Sequence, residues 1–310
     1  MMKETGLIKG SILLFLLLVF CMVLISGCTE EKPAPGTHIE RISSARVTQT
    51  PLISYEHSKN YSYEDANASG YGIISKINSD LLLIDEIVNK TAVTLSEDDY
   101  GINEKSVILA NNLGLSPYIE NIVLLDSDLI VIAVGSDKYK GVIESNLSNQ
   151  DHLVRTVQLK KPQMSLVTQT VEGFPATLIC RPVIRNSTLT GVVSAVINPE
   201  KIISEAFLYG DPDNRFENFV TQTNGLIIYD EDPLQTGRNT FTDSLYLTDP
   251  SIINLARNMS SEPKGNGTYK FHDMPSPEVV TKEVLWDTAG INGGEWRVAV
   301  ARIISDEDKD

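Results

Sequence analysis

Residues 74–95 read ISKINSDLLLIDEIVNKTAVTL, with Ile74, Ile77, Leu81, Ile84, Val88, Thr91 and Leu95 spaced three and four apart. That period puts all seven on one face of a long helix, because side chains at i, i+3 and i+4 stack along one side. The pattern starts after Glu64 and breaks at Ser96-Glu97-Asp98-Asp99. The stripe is nearly heptad and suits pairing with a second copy. For most of its length the expected partner is the chain's own sheets. Ser106 to Leu115 reads as a second, shorter helix.

Strands then take over. Asn121–Leu125 and Leu129–Val134 flank the polar turn Asp126-Ser127-Asp128, which predicts a hairpin. Leu153–Gln158 reads as a short helix. Met164–Val171, Ala176–Ile184 and Leu189–Ile197 follow as an antiparallel meander, with turns at Glu172-Gly173 and Arg185-Asn186-Ser187. Asn198-Pro199 opens a helix over Glu200–Phe207. Gly210-Asp211-Pro212-Asp213 punctuates the chain, and protease sensitivity is expected between 207 and 218. The plan then recurs in shorter form. Asn218–Thr223 and Leu226–Tyr229 flank Asn224-Gly225, a strong hairpin signal. A helix at Ser251–Met259 and strands at Gly267–His272, Val279–Asp287 and Trp296–Ile303 complete it. The class is α/β (α+β): two tandem units of antiparallel sheet beside one long N-terminal helix.

Upstream, Lys3 and Lys9 precede an apolar run from Ile12 to Ile25 and then Ser26-Gly27-Cys28. A basic start, a short apolar core and small residues make a secretory leader. Ile-Ser-Gly-Cys resembles the lipobox of lipoproteins. That resemblance implies cleavage after Gly27, lipidation of Cys28, and a chain lying outside the cell. The competing reading is an uncleaved membrane anchor. Residues 1–27 are thus the leader and 28–60 a tether, Pro-rich at Glu30–Gly36. Residues 305–310 form an acidic tail.

The formal charge of −15 disfavours contact with phosphate backbones, which excludes nucleic-acid binding. Of three cysteines, Cys21 and Cys28 belong to the leader region, and Cys180 stands alone in an apolar run as a small buried hydrophobe. Seven Asn-x-Ser/Thr sequons begin at Asn60, Asn67, Asn89, Asn146, Asn186, Asn258 and Asn266. Their number fits a glycosylated surface protein, archaeal more readily than bacterial.

His38, His57, His152 and His272 lie far apart, without metal-ligand spacing. Neither a nucleophile elbow nor a phosphate loop occurs. Asp230-Glu231-Asp232 lacks the pattern of a calcium loop and reads as a solvated turn. No enzyme, metal or cofactor is expected.

Two stretches carry a family resemblance. Ser148-Asn149-Gln150-Asp151-His152-Leu153-Val154-Arg155, then Lys161-Pro162-Gln163-Met164-Ser165, Arg181-Pro182-Val183-Ile184 and Gly191-Val192-Val193, resemble the membrane-distal module of double Cache (tandem PAS-like) sensor domains. Thr223 to Asp230, Asp232-Pro233, Gly237-Arg238 and Gly294-Glu295-Trp296-Arg297-Val298 resemble the membrane-proximal module. The resemblance implies a distal module at 61–208 with the long helix, and a proximal module at 209–304. It implies a small-molecule site in the distal module, with Tyr139, Gln150, His152, Arg155 and Arg181 as ligand-binding residues. No apolar segment follows Arg302. The chain therefore resembles a sensor head that acts through a separate membrane receptor, kinase or transporter. A structural or adhesive surface glycoprotein is the alternative.

The amino-acid-sensing subset of that family places an Arg and aromatics in the loop and an Asp on the closing strand. The matching positions here are Gln150, His152, Leu153 and Val196. Gln offers no charged fork to a carboxylate, and Val cannot pair an ammonium. Weak binding of free α-amino acids is expected. A neutral or singly anionic ligand is expected instead, with His152 as hydrogen-bond partner and Arg155 or Arg181 neutralising a carboxylate.

Overall fold

The computed structural model describes residues 61–247, 249–272 and 279–304. The leader, Cys28, the tether, His38, His57, Asn60 and the acidic tail lie outside the described residues.

Helix α1 spans Tyr63–Glu97, 35 residues. Its start is set by a capping box: Ser62 Oγ accepts from Asp65 N at 3.1 Å, and Ser62 N donates to Asp65 Oδ2 at 3.0 Å. Glu64 and Asp65 in the first turn complement the positive end of the helix. Ile73, Ile77, Leu81, Ile84 and Val88 are fully buried, each contributing roughly 2 kcal/mol through its apolar area. Ile74 is only half-buried. The stripe is wide enough that its edge turns by one residue.

After α2 (Ile102–Leu113) come β1 (Ile119–Leu125) and β2 (Val131–Val134), a 3₁₀ turn at Asp137–Val142, and α3 (Asp151–Leu159). Strands β3 (Gln163–Met164) and β4 (Thr168–Gln169) are short pieces where the sequence pattern suggests one strand. Strands β5 (Pro175–Arg185) and β6 (Thr188–Ile197) and helix α4 (Pro199–Gly210) complete the first unit. The second holds β7 (Glu217–Gln222), β8 (Ile227–Asp230), α5 (Ser244–Leu247), α6 (Pro250–Ser261), β9 (Gly265–His272), β10 (Val279–Ala289) and β11 (Trp296–Ile304).

The same strand order occurs twice: β2-β1-β6-β5-β3, with β4 beside β5, and β8-β7-β11-β10-β9. All pairings are antiparallel. Each sheet lays one face against α1, so the helical stripe and the inner strand residues make one continuous core. The other face of the first sheet carries Val123, Leu125, Leu178, Cys180, Val192 and Val196 under α3 and the connecting loops. Burial pushes the Cys180 thiol up to about 12, in keeping with an inert core residue.

The junction between the sheets is anchored by a buried carboxylate, while Pro212, Asp213 and Asn214 at its turn are exposed. Asp211 is buried, accepts from Arg215 Nε at 2.9 Å and from Phe216 N at 3.0 Å, and Phe216 is fully buried. The sequon at Asn89 is also spent on structure. Its Oδ1 accepts from Arg181 Nη1 at 3.0 Å, and Thr91 is fully buried in α1. Asn186 and Asn266, by contrast, are exposed. No helix among the described residues is long and apolar enough to cross a membrane.

Candidate functional site

The outer face of the first sheet is floored by Val123, Val131, Leu178 and Val196, from four adjacent strands. Leu147 and Gln150 close one side, at the entry to α3. Thr170, Val171 and Glu172 form a roof. The roof is a tight hairpin: Thr170 N donates to Phe174 O at 3.1 Å and Gly173 N to Thr170 O at 3.1 Å. Gly173 takes φ +97°, a conformation that side chains with a Cβ rarely adopt. The enclosed cavity measures about 10 Å³, space for roughly one water.

Few polar groups reach it. Gln150 Oε1 is buried and finds no hydrogen-bond partner among the described residues. Glu172 Oε1 accepts from Nδ2 of Asn121, a fully buried residue on β1, at 3.1 Å. Asn121 Oδ1 accepts from Ser136 N at 3.3 Å. Asn121 and the roof residues Thr170 and Glu172 escape sequence reading. An Asn inside an apolar strand was the available signal for the first, whereas the roof is built by tertiary folding of a turn.

Of the residues expected in the site, Gln150 lines the cavity, as does Val196. Tyr139 is buried beside it, with its ring 6.1 Å from Phe174 and Lys138 Nζ 4.7 Å above its centroid. Burial holds His152 down to about 4, against an ordinary 6.5, so it is neutral at physiological pH. Its Nε2 is buried without a hydrogen-bond partner among the described residues.

The two arginines are corrections. Arg155 is exposed on α3. Arg181 lies on the opposite face of the sheet, where Nε and Nη2 grip Asp85 of α1 at 2.9 and 2.5 Å. Asn292 Nδ2 adds a 3.0 Å bond to the same carboxylate. Alternation along β5 explains this: Arg181 shares parity with Ile179 and Val183, which pack towards α1.

The roof is continuous with contacts to the second unit. Met164 N donates to Asn292 O at 3.2 Å, and Val167 N donates to Gln222 Oε1 at 2.6 Å. Ser165 N still donates to Leu178 O of β5 at 2.8 Å, so β3 and β4 are parted only over Leu166 and Val167, where Val167 N turns to Gln222. In the second unit, Asp230 and Glu231 are not a solvated turn. Burial raises both carboxyls to about 7, helped by Asp232 and Glu217 at Asp230 and by Glu217 and Asp211 at Glu231. A larger open groove of about 330 Å³ at the α1–α2 corner is walled by Tyr100, Asn103, Glu104, Val107 and Ile108. It offers no buried polar group to orient a ligand.

Twin sheets beside one long helix make a fold shared with solved extracellular ligand-binding domains. Residues 79–199 match the family described as HK/GC/Chemotaxis protein-like, sensor domain. The extracellular ligand binding receptor from Desulfohalobium retbaense DSM5692 superposes with a TM-score of 0.65 at 24% identity. The overlap covers 78% of this chain and 41% of that one, so this chain spans less than half of its length. The ligand-binding domain of the Pseudomonas aeruginosa PAO1 amino acid chemoreceptor PctB, in complex with L-Arg, gives 0.57 at 14% identity, covering 79% and 88%. Methyl-accepting chemotaxis protein X gives 0.61 at 11% identity, covering 78% and 97%. No curated protein matches the sequence. The fold is that of the Cache-like, tandem PAS-like sensor domains.

Proposed function

We propose that this chain is an extracellular, lipid-anchored sensor that captures a small molecule under the roof hairpin of its first, membrane-distal unit. The observation that supports this most is the cavity between the valine floor and residues 170–172, with Gln150 Oε1 left unpartnered inside it. At about 10 Å³ it is closed. Small-molecule sites occupy roughly 300 Å³ or more, so binding must lift the roof. The roof's root is bonded to Gln222 and Asn292 of the proximal unit. Lifting it strains those bonds and gives a route from ligand to membrane side. Cys28 carries the lipid, and a separate membrane receptor, kinase or transporter reads the change. Free α-amino acids bind weakly, since no arginine enters the cavity to hold their carboxylate.

The heptad stripe of α1 is occupied by the chain's own sheets. Pairing of two copies falls instead to its outer face, where Tyr71, Leu82 and Val93 are 76%, 57% and 50% exposed. Their eleven-residue spacing keeps them on one line of a nearly straight helix.

A thermal-shift screen of small metabolites on the full chain tests the central reading. At least one compound should raise Tm, and a Val196→Met variant, whose longer side chain reaches into the one-water void with little added volume, should weaken that response while staying folded. A response unchanged in the variant places the binding elsewhere.

A further inference from the structure

The ligand's charge can be read from what the cavity lacks. Among the described residues, the one charged group that lines it is the Glu172 carboxylate. Gln150 Oε1 has no partner, and Glu172 brings a carboxylate. Thr170 Oγ1 has already spent its proton on Phe174 O at 2.8 Å, leaving it only acceptor capacity. The side-chain donors at hand are neutral amides: Gln150 Nε2, on the same side chain as the unpartnered oxygen, and Asn121 Nδ2, which is engaged with Glu172. The cations are elsewhere: Arg181 is clamped to Asp85 across the sheet, Arg155 faces solvent, and Lys138 is exposed, stacked over Tyr139. His152 is neutral at physiological pH. The start of α3 would favour an anion through its helix dipole, but Asp151 already occupies its first turn.

From this placement we infer that the first unit binds a small organic cation, a short alkylammonium. Glu172 and Gln150 accept its N–H donors, and Val123, Val131, Leu178 and Val196 enclose its apolar body. This inference rests on the ligand-binding reading above and adds the ligand's chemical class. It replaces the neutral or anionic ligand expected from sequence, because burying a carboxylate beside Glu172 with no cation at hand is unfavourable. It also accounts for the exclusion of amino acids: their ammonium has acceptors here, and their carboxylate has no partner.

The test compares n-butylammonium chloride, sodium butyrate and 1-butanol on the full chain at matched ionic strength, with ammonium chloride as control. At about ten times its Kd, n-butylammonium should raise Tm by about 3–6 °C, and butyrate should not. Glu172→Gln keeps the shape and the acceptor for Asn121. It should weaken n-butylammonium at least about tenfold, the usual scale for losing a charged hydrogen-bond partner. Butyrate or butanol binding as tightly as the amine, with the response weakened in Val196→Met, would overturn the cation assignment and leave the site standing. Amine binding unchanged in Glu172→Gln and Gln150→Leu would overturn the residue assignment. No response to any of the three would count against both the cation and the site.

Discussion

Replacing Arg181 by Met separates a structural clamp from a ligand contact. The guanidinium makes three bonds to α1, two to Asp85 and one to Asn89, with side-chain exposures of 23% for Arg181 and 11% for Asp85. Removing one partner of a fully buried ion pair costs about 3–5 kcal/mol, because the other charge is left uncompensated. Here water reaches part of the pair and Asn292 still donates to Asp85, so the expected loss is about 2–3 kcal/mol. In urea that moves the unfolding midpoint down by roughly 1 M at a typical slope for this size. The double variant Arg181→Met/Asp85→Leu should recover part of the loss, since no charge is then stranded. Affinity for n-butylammonium should stay unchanged in the single variant. A stability loss below about 0.5 kcal/mol, within the range of ordinary surface substitutions, together with lost ligand binding, would refute the clamp and return Arg181 to the site.

The raised carboxyls of Asp230 and Glu231 set a pH slope. Both folded values, about 7, exceed the ordinary 3.8 and 4.5, so their contribution is full below about pH 4 and is lost as pH rises through 7. Denaturation of Glu231→Gln across that window should show a shallower decline, by roughly 2 kcal/mol. His152 works in the opposite sense: its contribution is present above 6.5 and lost as pH falls through about 4. His152→Gln should therefore flatten the acid side. Gly210→Ala places a Cβ 2.7 Å from Ile73 N and 2.9 Å from Ser69 O on α1, and should lower stability by about 1–3 kcal/mol in the same assay. Cys28→Ser should release the protein from membranes or leave its leader uncleaved. Unchanged mass and membrane retention of the mature chain would contradict the lipid anchor.

Most elements were legible because long periodic segments carry their own signal. The stripe on α1, the Asn224-Gly225 turn and the closing strands all correspond to observed elements. The short pieces left no trace in the pattern: the 3₁₀ turn at Asp137–Val142 and α5 are too brief to show a period. At the site, Gln150 and Val196 followed from their places beside a recognisable turn and strand. Arg181 did not. Its parity along β5 was readable, but which face of the sheet holds the cavity depends on where α1 docks. Glu172 was hidden for a related reason, because a turn becomes a roof only when it folds back over the sheet. The acidic run at Asp230 looks solvated until β7 and β10 bring Asn218, Glu217 and Lys282 around it.

The most direct measurement is a high-resolution crystal structure of the protein purified from its own host. Density for a small molecule bridging Gln150 and Glu172, with the 170–174 hairpin displaced outward, is the expected result. A hairpin still closed over one water, with ligand density bound in the second unit or at the α1–α2 groove, would contradict it.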